Sequence, residues 1–480
     1  MDVKFLHLID AYKIGHRAQY PKGTNIVFSN MTPRKSRIPG VDSVVFFGLQ
    51  YFIKEYIIDA WASTGLRMPE KRYTRRVNNM IGPGTTFDHI NALLSKETTL
   101  PIEIWALPEG SHVPIGVPPM VMWNTKPEFF WLTNYLETIL SCSLWQACTS
   151  ATIADRYRKL FESWADKTGG DKGFVQFQGH DFSFRGMSSL ESAVLSGMGH
   201  LLSFSGTDTV PAIDALEEYY GANSDTELVG VSVPATEHSV MSMGGKESEL
   251  DTYNRILDLY PTGIVSIVSD TWDFFGVLTN ILPKLKDRIM ARNGKVVIRP
   301  DSSKKTPLEI ICGDPTSNDE NERKGAIELL WDLFGGTINE KGYKVLDPHI
   351  GLIYGDSITY ELADKICQAL ADKDFASTNW VAGIGSYTYQ YNTRDTFGFA
   401  MKATYGEVNG VGREIFKDPK TDSGMKKSAK GLIAVYKNEE GQYYMKDQAT
   451  WQEVVSCEYV RVYPPQEDHS LKQIRERIRL

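Results

Sequence analysis

The sequence predicts an α/β protein: an irregular parallel α/β barrel of about seven strands, plus a second β-rich α+β domain built from the N- and C-terminal parts. Two observations predict this fold. Between residues 174 and 389, short apolar runs alternate with amphipathic helical windows, which implies right-handed crossovers and a mostly parallel sheet. Each run also leads into polar residues, as strands do where a parallel sheet carries a site. A doubly wound open sheet is the competing architecture.

The composition is that of an ordinary globular protein. The chain has 480 residues, 42% hydrophobic and 23% charged, with a formal net charge of −8. This balance argues against a nucleic-acid partner, although local arginines and lysines can still bind anions. The five cysteines are scattered without a CxxC pair, and neither a signal region nor a membrane span is present. We expect a cytoplasmic protein with reduced thiols and no membrane partner.

Residues 1–173 and 390–480 are predicted to form the β-rich α+β domain. Its predicted elements are a strand and then a helix in 44–56, strands in 100–110 and 113–123, a buried helix in 128–145, and a hairpin made by 431–436 and 442–445.

Residues 174–389 are predicted to form the barrel. The apolar runs taken as strands are 174–177, 201–204, 228–233, 264–268, 296–298, 350–354 and 380–384. The helical windows between them are 188–199, 210–220, 246–259, 271–292, 321–334 and 360–371. Short, uninterrupted apolar runs are typical of strands that are buried on both faces.

Polar residues follow these runs in series. They are His180-Asp181-Phe182 with Arg185, Gly206-Thr207-Asp208, Glu237-His238-Ser239, Ser269-Asp270, Arg299 with Asp301, Gly355-Asp356 and Gly385-Ser386. Taken singly, such residues often cap helices or form turns. Seven in series at one end of a sheet instead predict one shared pocket. Arginine can bind a phosphate through two hydrogen bonds and aspartate can accept from sugar hydroxyls or a divalent cation, so the pocket suits a phosphorylated sugar.

Several motif-based mechanisms find no support in the sequence. It has no Walker A motif, no GxGxxG after an early strand, no zinc spacing and no GxSxG elbow. The pair Glu237-His238 is compatible with a metal ligand, an acid–base group, a phosphate acceptor or a structural histidine. No second histidine stands at metal spacing, which weakens the first of these.

A series of motifs extends in order over nearly the whole chain. They are DAYK at 10–13 with His16, QYP at 19–21, FGLQY at 47–51, LPIEIWALPEG at 100–110, WLTNYLETIL at 131–140, HDFSFRGMSS at 180–189, GTDTV at 206–210, VPATEHS at 233–239, SIVSDTWD at 266–273, IRPDS at 298–302, GDS at 355–357, TRD at 393–395 and IFKDP at 415–419. On these motifs the chain resembles the nicotinamide phosphoribosyltransferases, a family of type II phosphoribosyltransferases. The resemblance implies transfer of phosphoribosyl from phosphoribosyl pyrophosphate to nicotinamide, giving nicotinamide mononucleotide and pyrophosphate, with Mg²⁺ accompanying the pyrophosphate.

The resemblance also implies roles around the pyridine ring and ribose. Phe182 and Tyr12 would sandwich the ring, with Tyr12 supplied by the second subunit of a homodimer. Asp208 would accept from the carboxamide NH₂ and repel nicotinate. Arg185 and Arg299 would hold ring, ribose or phosphate. The remaining substrate groups would be Asp301 for ribose hydroxyls or the metal, Gly355, Asp356, Gly385 and Ser386 for ribose and 5′-phosphate, and Arg394.

A further implied set serves pyrophosphate and ATP. The pyrophosphate would meet Arg34, Arg185, His238, Arg299, Arg394, Lys402, Lys417 and one of Lys426 or Lys427. ATP, as a co-substrate, would phosphorylate His238, whose imidazole Glu237 and Asp270 would orient.

The chain departs from the family pattern in places, and two other functions compete. Ser386 stands where vertebrate members have glycine, Ala400 replaces a serine, and residues 61–98 match only loosely. A nicotinate phosphoribosyltransferase is the nearest alternative, against which Asp208 and the N-terminal YKxxH argue. A catalytically silent regulator that binds pyridine nucleotide or phosphosugar is the alternative from another class.

Overall fold

The computed structural model describes residues 5–59, 61, 70–83, 87–301, 304–355, 358–417, 429–465 and 467–480. The chain divides into two compact units. The β-rich unit comprises Met1–Thr152, Ala215–Ala222 and Asn392–Leu480, and the barrel unit comprises Ile153–Asp214 and Asn223–Tyr391. The expected functional domain bounds, 1–173 with 390–480 and 174–389, stay a prediction. Within the described ranges, every helix is too short or too polar to cross a membrane.

The strands and helices have the following bounds. In chain order the strands are β1 Thr24–Thr32, β2 Ser43–Val45, β3 Ile102–Ala106, β4 His112–Pro114, β5 Met120–Asn124, β6 Gly179–Asp181, β7 Gly206–Thr207, β8 Val265–Val268, β9 Val296–Arg299, β10 Gly336–Ile338, β11 Lys344–Leu346, β12 Ile350–Tyr354, β13 Trp380–Ile384, β14 Ala400–Val408, β15 Val411–Glu414, β16 Leu432–Lys437, β17 Tyr443–Ala449 and β18 Val460–Tyr463. The helices are Phe5–His7, Ala11–Gly15, His16–Gln19, Leu49–Phe52, Ile53–Asp59, Glu70–Ile81, Asp88–Lys96, Pro127–Phe129, Leu132–Thr168, Val175–Gln178, Phe184–Gly186, Leu190–Leu201, Val210–Tyr220, His238–Ser242, Lys246–Ser248, Glu249–Leu259, Phe274–Gly276, Val277–Ile281, Leu282–Met290, Pro307–Cys312, Glu320–Lys324, Ala326–Phe334, Tyr360–Asp372, Ser377–Asn379, Ser386–Gln390, Trp451–Ser456 and Leu471–Ile478.

The β-rich unit is organised around an antiparallel sheet with the strand order β15-β14-β1-β5-β3-β18. Met31 of β1 pairs with Met401 on one side and Met120 on the other, and all three are buried. Along β3 burial alternates with a period of two, which confirms the strand expected in 100–110. The hairpin predicted near the C-terminus is confirmed as the antiparallel pair β16–β17.

The barrel unit holds a parallel sheet with the order β7-β6-β13-β12-β9-β8. Single parallel bridges join Val231 to Gly206 in β7 and Ala235 to Ser266 in β8. One chain segment therefore connects the two edge strands, and the sheet curls round on itself. This arrangement confirms the irregular parallel barrel and argues against the open doubly wound sheet, whose edges would stay apart.

Three predicted strands are wrong, and the first two are misplaced in the same way. Residues 174–177 lie mainly in the helical turn Val175–Gln178, where Val175 and Gln178, three positions apart, are the buried members. Residues 201–204 start at the last residue of helix Leu190–Leu201 and continue into the turn after it. In both cases the true strand, β6 or β7, begins two residues after the apolar run. A run of four apolar residues has the same pattern in a buried helical turn as in a buried strand.

The other predicted barrel elements are closer to the structure. The window 210–220 is confirmed by helix Val210–Tyr220. The window 321–334 is divided at Gly325, whose φ of 77° ends one helix before Ala326–Phe334 begins. The run 228–233 is the third wrong strand: it contributes only the single bridge at Val231 and otherwise connects β7 to β8.

Candidate active site

A cavity of 480 Å³ lies at the carboxyl ends of the barrel strands. It is lined by Phe182, Arg185, Asp208, His238, Arg299, Asp301, Gly355, Gly385 and Ser386. All nine belong to the polar series that the sequence places after the apolar runs. Parallel strands end at a common edge, so side chains from distant parts of the chain meet there.

Arg299 supplies a positive charge to this cavity. It is the last residue of β9, and its side chain is only 14% exposed. Its Nη2 donates to the carbonyl oxygen of Thr236 at 3.1 Å and lies 3.8 Å from Oδ2 of Asp301. The buried Nε–H has no hydrogen-bond partner among the described residues. A buried donor in this state is stabilised when an anionic ligand accepts from it.

Asp270 connects two parts of the site. Its carboxylate is 3% exposed, and Oδ1 lies 2.9 Å from Nε2 of His238. Its other oxygen accepts from the backbone N–H of Asp301 at 2.9 Å. One buried carboxylate therefore fixes both the imidazole and the turn that follows β9. Glu237 does not line the cavity; it is exposed and accepts from the hydroxyl of Ser239.

Asp208 is held by two donors on the same oxygen. Oδ1 lies 3.1 Å from Nε2 of His180 and accepts from Oγ of Ser232 at 2.5 Å. Burial on its own raises the pKa of Asp208. Hydrogen bonds from His180 and Ser232 and the charges of His180 and Arg299 outweigh burial, and the pKa is lowered overall. Asp208 is therefore ionised at neutral pH.

The glycine at the end of β12 is required by close packing. A Cβ at Gly355 would lie 1.9 Å from Oδ1 of Asp301, so any side chain there would displace this carboxylate. Gly186 has a similar constraint, because its Cβ would lie 2.1 Å from Oγ of Ser386. These glycines allow the loops that follow different strands to approach each other.

The other predicted site residues lie elsewhere in the chain. Tyr12, Arg34, Arg394, Lys402 and Lys417 belong to the β-rich unit and are all exposed. Asp356, Lys426 and Lys427 lie outside the described residues. Their expected roles stay predictions.

Comparison with known proteins identifies the family. The family model for the nicotinate phosphoribosyltransferase (NAPRTase) family matches residues 177–455, and that for the N-terminal domain of nicotinamide phosphoribosyltransferase matches residues 4–104. The chain belongs to the nicotinate phosphoribosyltransferase family. It is thus a phosphoribosyltransferase, a pentosyltransferase of NAD biosynthesis.

The relatives agree with this assignment, and one solved structure has a similar fold. The chain is 53% identical to a nicotinamide phosphoribosyltransferase from Acinetobacter baylyi, over 93% of this chain and 91% of the relative. It is 36% identical to one from Mycoplasma pneumoniae, over 88% and 93%. A nicotinate-nucleotide pyrophosphorylase from Pyrococcus furiosus shares the fold with a TM-score of 0.56 at 13% identity, over 99% of this chain and 95% of that one.

The phosphoribosyltransferase cavity offers few ligands of its own to a metal. Among the residues that the structure describes, no group of three or more His, Cys, Asp or Glu side chains is placed to hold an ion. The cavity contains the carboxylate of Asp208, which His180 and Ser232 already contact, and that of Asp301. A single carboxylate suits Mg²⁺ that takes its other ligands from phosphate oxygens and water.

His180, Asp181 and Ser232 were assigned no role from the sequence, yet all three support the site. His180 and Ser232 contact Asp208, and the buried carboxylate of Asp181 accepts from Thr207 Oγ1 at 3.2 Å and Thr209 Oγ1 at 2.7 Å. A signal for His180 was present, because it stands two residues before Phe182 in the same polar group of the series. His180 and Phe182 do line the same cavity. Ser232 carried no such signal.

Proposed function

We propose that this chain is a nicotinamide phosphoribosyltransferase, which converts nicotinamide and phosphoribosyl pyrophosphate into nicotinamide mononucleotide and pyrophosphate. The observation that carries the proposal is the ionised carboxylate of Asp208 beside the ring of Phe182 in one cavity. A carboxylate accepts from the NH₂ of a carboxamide and repels the carboxylate of nicotinate. The names of the curated relatives support the same choice of substrate.

The proposed reaction needs positioning and charge stabilisation, and no protein nucleophile. The ribosyl carbon becomes cation-like as the bond to pyrophosphate breaks and the pyridine nitrogen attacks. Phe182 stacks on the ring, and Arg299 and Arg185 stabilise the departing negative charge. Asp301 accepts from ribose hydroxyls or from the metal shell. Mg²⁺, when bound, neutralises part of the charge on the pyrophosphate.

We further propose that ATP phosphorylates His238. The imidazole is 47% exposed and held at Nε2 by Asp270, so Nδ1 is the ring nitrogen left to attack the γ-phosphorus of ATP, with ADP as the leaving group. Asp270 would also stabilise the positive charge on the imidazole. Because Asp270 binds the N–H of Asp301 as well, the charge on His238 can influence the ribose-binding turn.

A homodimer in a cytoplasmic setting completes the proposal. Tyr12 is 62% exposed, which supports a role in stacking on a ring bound by a second subunit. Its segment is firmly held: the buried amine of Lys13 lies 2.6 Å from Glu137, and Tyr20 accepts from Asn134 at 2.8 Å. Arg34, Arg394, Lys402, Lys417 and Lys426 are the proposed pyrophosphate contacts of this unit.

Product formation tests the proposal. The enzyme is given phosphoribosyl pyrophosphate and MgCl₂ with nicotinamide or nicotinate, each with and without ATP, and both mononucleotides are quantified. We expect nicotinamide mononucleotide as the main product, faster with ATP. Asp208→Asn should reduce the preference for the amide, while Asp251→Asn, at an exposed helix position, should not. Turnover of nicotinate alone would instead indicate a nicotinate phosphoribosyltransferase, and binding without turnover a regulator.

A further inference from the structure

The carboxylate of Asp208 is held asymmetrically. Both of its protein donors, His180 Nε2 at 3.1 Å and Ser232 Oγ at 2.5 Å, contact Oδ1. Among the described residues none donates to Oδ2. Two donors from separate chain segments on one oxygen restrain the carboxylate, because rotating it would move Oδ1 away from both. The open oxygen therefore has a defined direction within the cavity.

We propose that His180 and Ser232 are positioning residues that aim Oδ2 of Asp208 at the carboxamide and so set the discrimination between nicotinamide and nicotinate. The inference rests on the proposed function, because it assumes that the ring substrate binds against Asp208. Neither residue needs to touch the substrate. A rigidly held acceptor rejects the acid more strongly than a mobile one, since a mobile carboxylate can turn away from a second negative charge.

Gly206 makes this arrangement possible. A Cβ at Gly206 would lie 2.8 Å from Nδ1 of His180 and 3.3 Å from its Cγ. Any side chain at this position would push the imidazole away from its place beside Asp208. Gly206 begins strand β7 and Asp208 follows the strand directly, so the space for the imidazole and its carboxylate partner are two residues apart in the chain.

His180 also contacts the ring of Phe182, with centroids 4.5 Å apart, and this second contact has a distinguishable effect. Stacking on Phe182 acts on the pyridine ring, which nicotinamide and nicotinate share. A disturbed Phe182 should therefore reduce kcat/KM for both substrates by the same factor. A disturbed Asp208 should change the ratio of the two values.

The experiment measures kcat/KM for nicotinamide and nicotinate in the full-length enzyme and in five variants. His180→Leu removes a donor, Ser232→Ala removes the other, and Gly206→Ala keeps both donors but displaces the imidazole. His180→Gln keeps an N–H donor at a similar reach. Asp208→Asn removes the carboxylate itself and so shows the largest change in the amide-to-acid ratio that its loss can cause. We expect the amide-to-acid ratio to fall about tenfold in His180→Leu and Gly206→Ala and about threefold in Ser232→Ala. His180→Gln should retain most of the ratio.

The outcomes separate this inference from the proposed function. If Asp208→Asn changes the ratio while His180→Leu, Gly206→Ala and Ser232→Ala leave it intact, the inference is wrong and the function stands. If wild type lacks the amide preference, or Asp208→Asn leaves it intact, the proposed role of Asp208 in substrate choice is wrong, and the inference about His180 and Ser232 is wrong with it. Equal losses for both substrates would show that His180 acts through Phe182 alone. Should His180→Leu fail to fold in a thermal melt, exposed Ser232 provides the same test.

Discussion

The two ends of strand β9 carry a cation each, in opposite surroundings. Arg299, at the carboxyl end, lies 3.8 Å from Asp301 and donates to a carbonyl oxygen. Lys295, just before the strand, lies 5.8 Å from the ring of Phe174, and burial lowers its pKa. Both line a cavity of 500 Å³ that follows the strands. The carboxyl end of the strand is thus suited to binding anions, whereas burial at the amino end disfavours a charge.

The largest expected effect comes from removing the cation at the carboxyl end. Arg299→Met should lower kcat/KM about a thousandfold, because it removes charge stabilisation from the departing group. Lys295→Met is the matched control at the other end of β9 and should leave kcat/KM within about threefold. Steady-state kinetics with purified variants checks both. Equal losses in the two variants would mean that the two ends do not differ in function.

We expect acid to lower the free energy of unfolding through the buried His200, next to strand β7. His200 is fully buried, with Nε2 3.0 Å from the carbonyl oxygen of Gly206 and Nδ1 2.7 Å from the hydroxyl of Tyr389. Burial lowers its pKa to about 4, below the 6.5 of an ordinary histidine. The unfolded chain therefore binds the proton first as pH falls, and stability is lost between pH 6.5 and 4. The loss is on the order of 3 kcal/mol.

Urea unfolding between pH 7 and 4.5 measures this loss. His200→Gln removes the titrating group, so its free energy of unfolding should be lower at pH 7 but should fall less steeply with acid. A slope identical to that of wild type would assign the acid sensitivity to other groups, such as His89, whose pKa burial also lowers to about 4.

Strand β9 also shows which features of the site could be predicted from the sequence and which could not. Arg299 and Asp301 were predictable because a short apolar run leads straight into them, and parallel strands deliver such tips to one edge. The run before them was expected to be buried on both faces. In the structure Val296 and Ile298 are buried, whereas Val297 and Arg299 are less so and line the cavity. An apolar residue facing a cavity and one facing a helix look the same in a sequence.

The sequence could not predict contacts that depend on pairing between residues far apart in the chain. Ser232 reaches Asp208 only because a segment with single bridges, at Val231 and Ala235, connects β7 to β8. No periodicity marks such a segment, since two bridges impose no alternation. Residues 174–177 were misassigned for a related reason: the helical turn there is too short to show a 3.6-residue repeat.

A smaller effect should follow from loosening the turn after β9. Asp270→Asn keeps one acceptor oxygen but replaces the other with a donor, so it can no longer accept from both Nε2–H of His238 and the N–H of Asp301. We expect kcat/KM to fall about a hundredfold, mainly in kcat. Asp273→Asn is the control, because Asp273 caps the next helix through Gly276 and asparagine caps equally well. A loss of similar size in Asp273→Asn would point to general damage to this loop.

The smallest expected effect is a gain in stability at the amino end. Lys295→Met should raise the free energy of unfolding at pH 7 by about 1 kcal/mol, because it removes a partly buried charge and keeps an apolar side chain of similar length. The pKa of Lys295 is lowered from 10.5, so the folded protein loses this proton before the unfolded chain does. Wild type therefore becomes relatively more stable as pH rises towards 10.5, and the advantage of Lys295→Met should shrink. Urea unfolding at pH 7 and pH 10 compares the two proteins. A pH-independent difference would mean that the gain comes from packing, and the contrast between the two cations of β9 would then be one of shape rather than of charge.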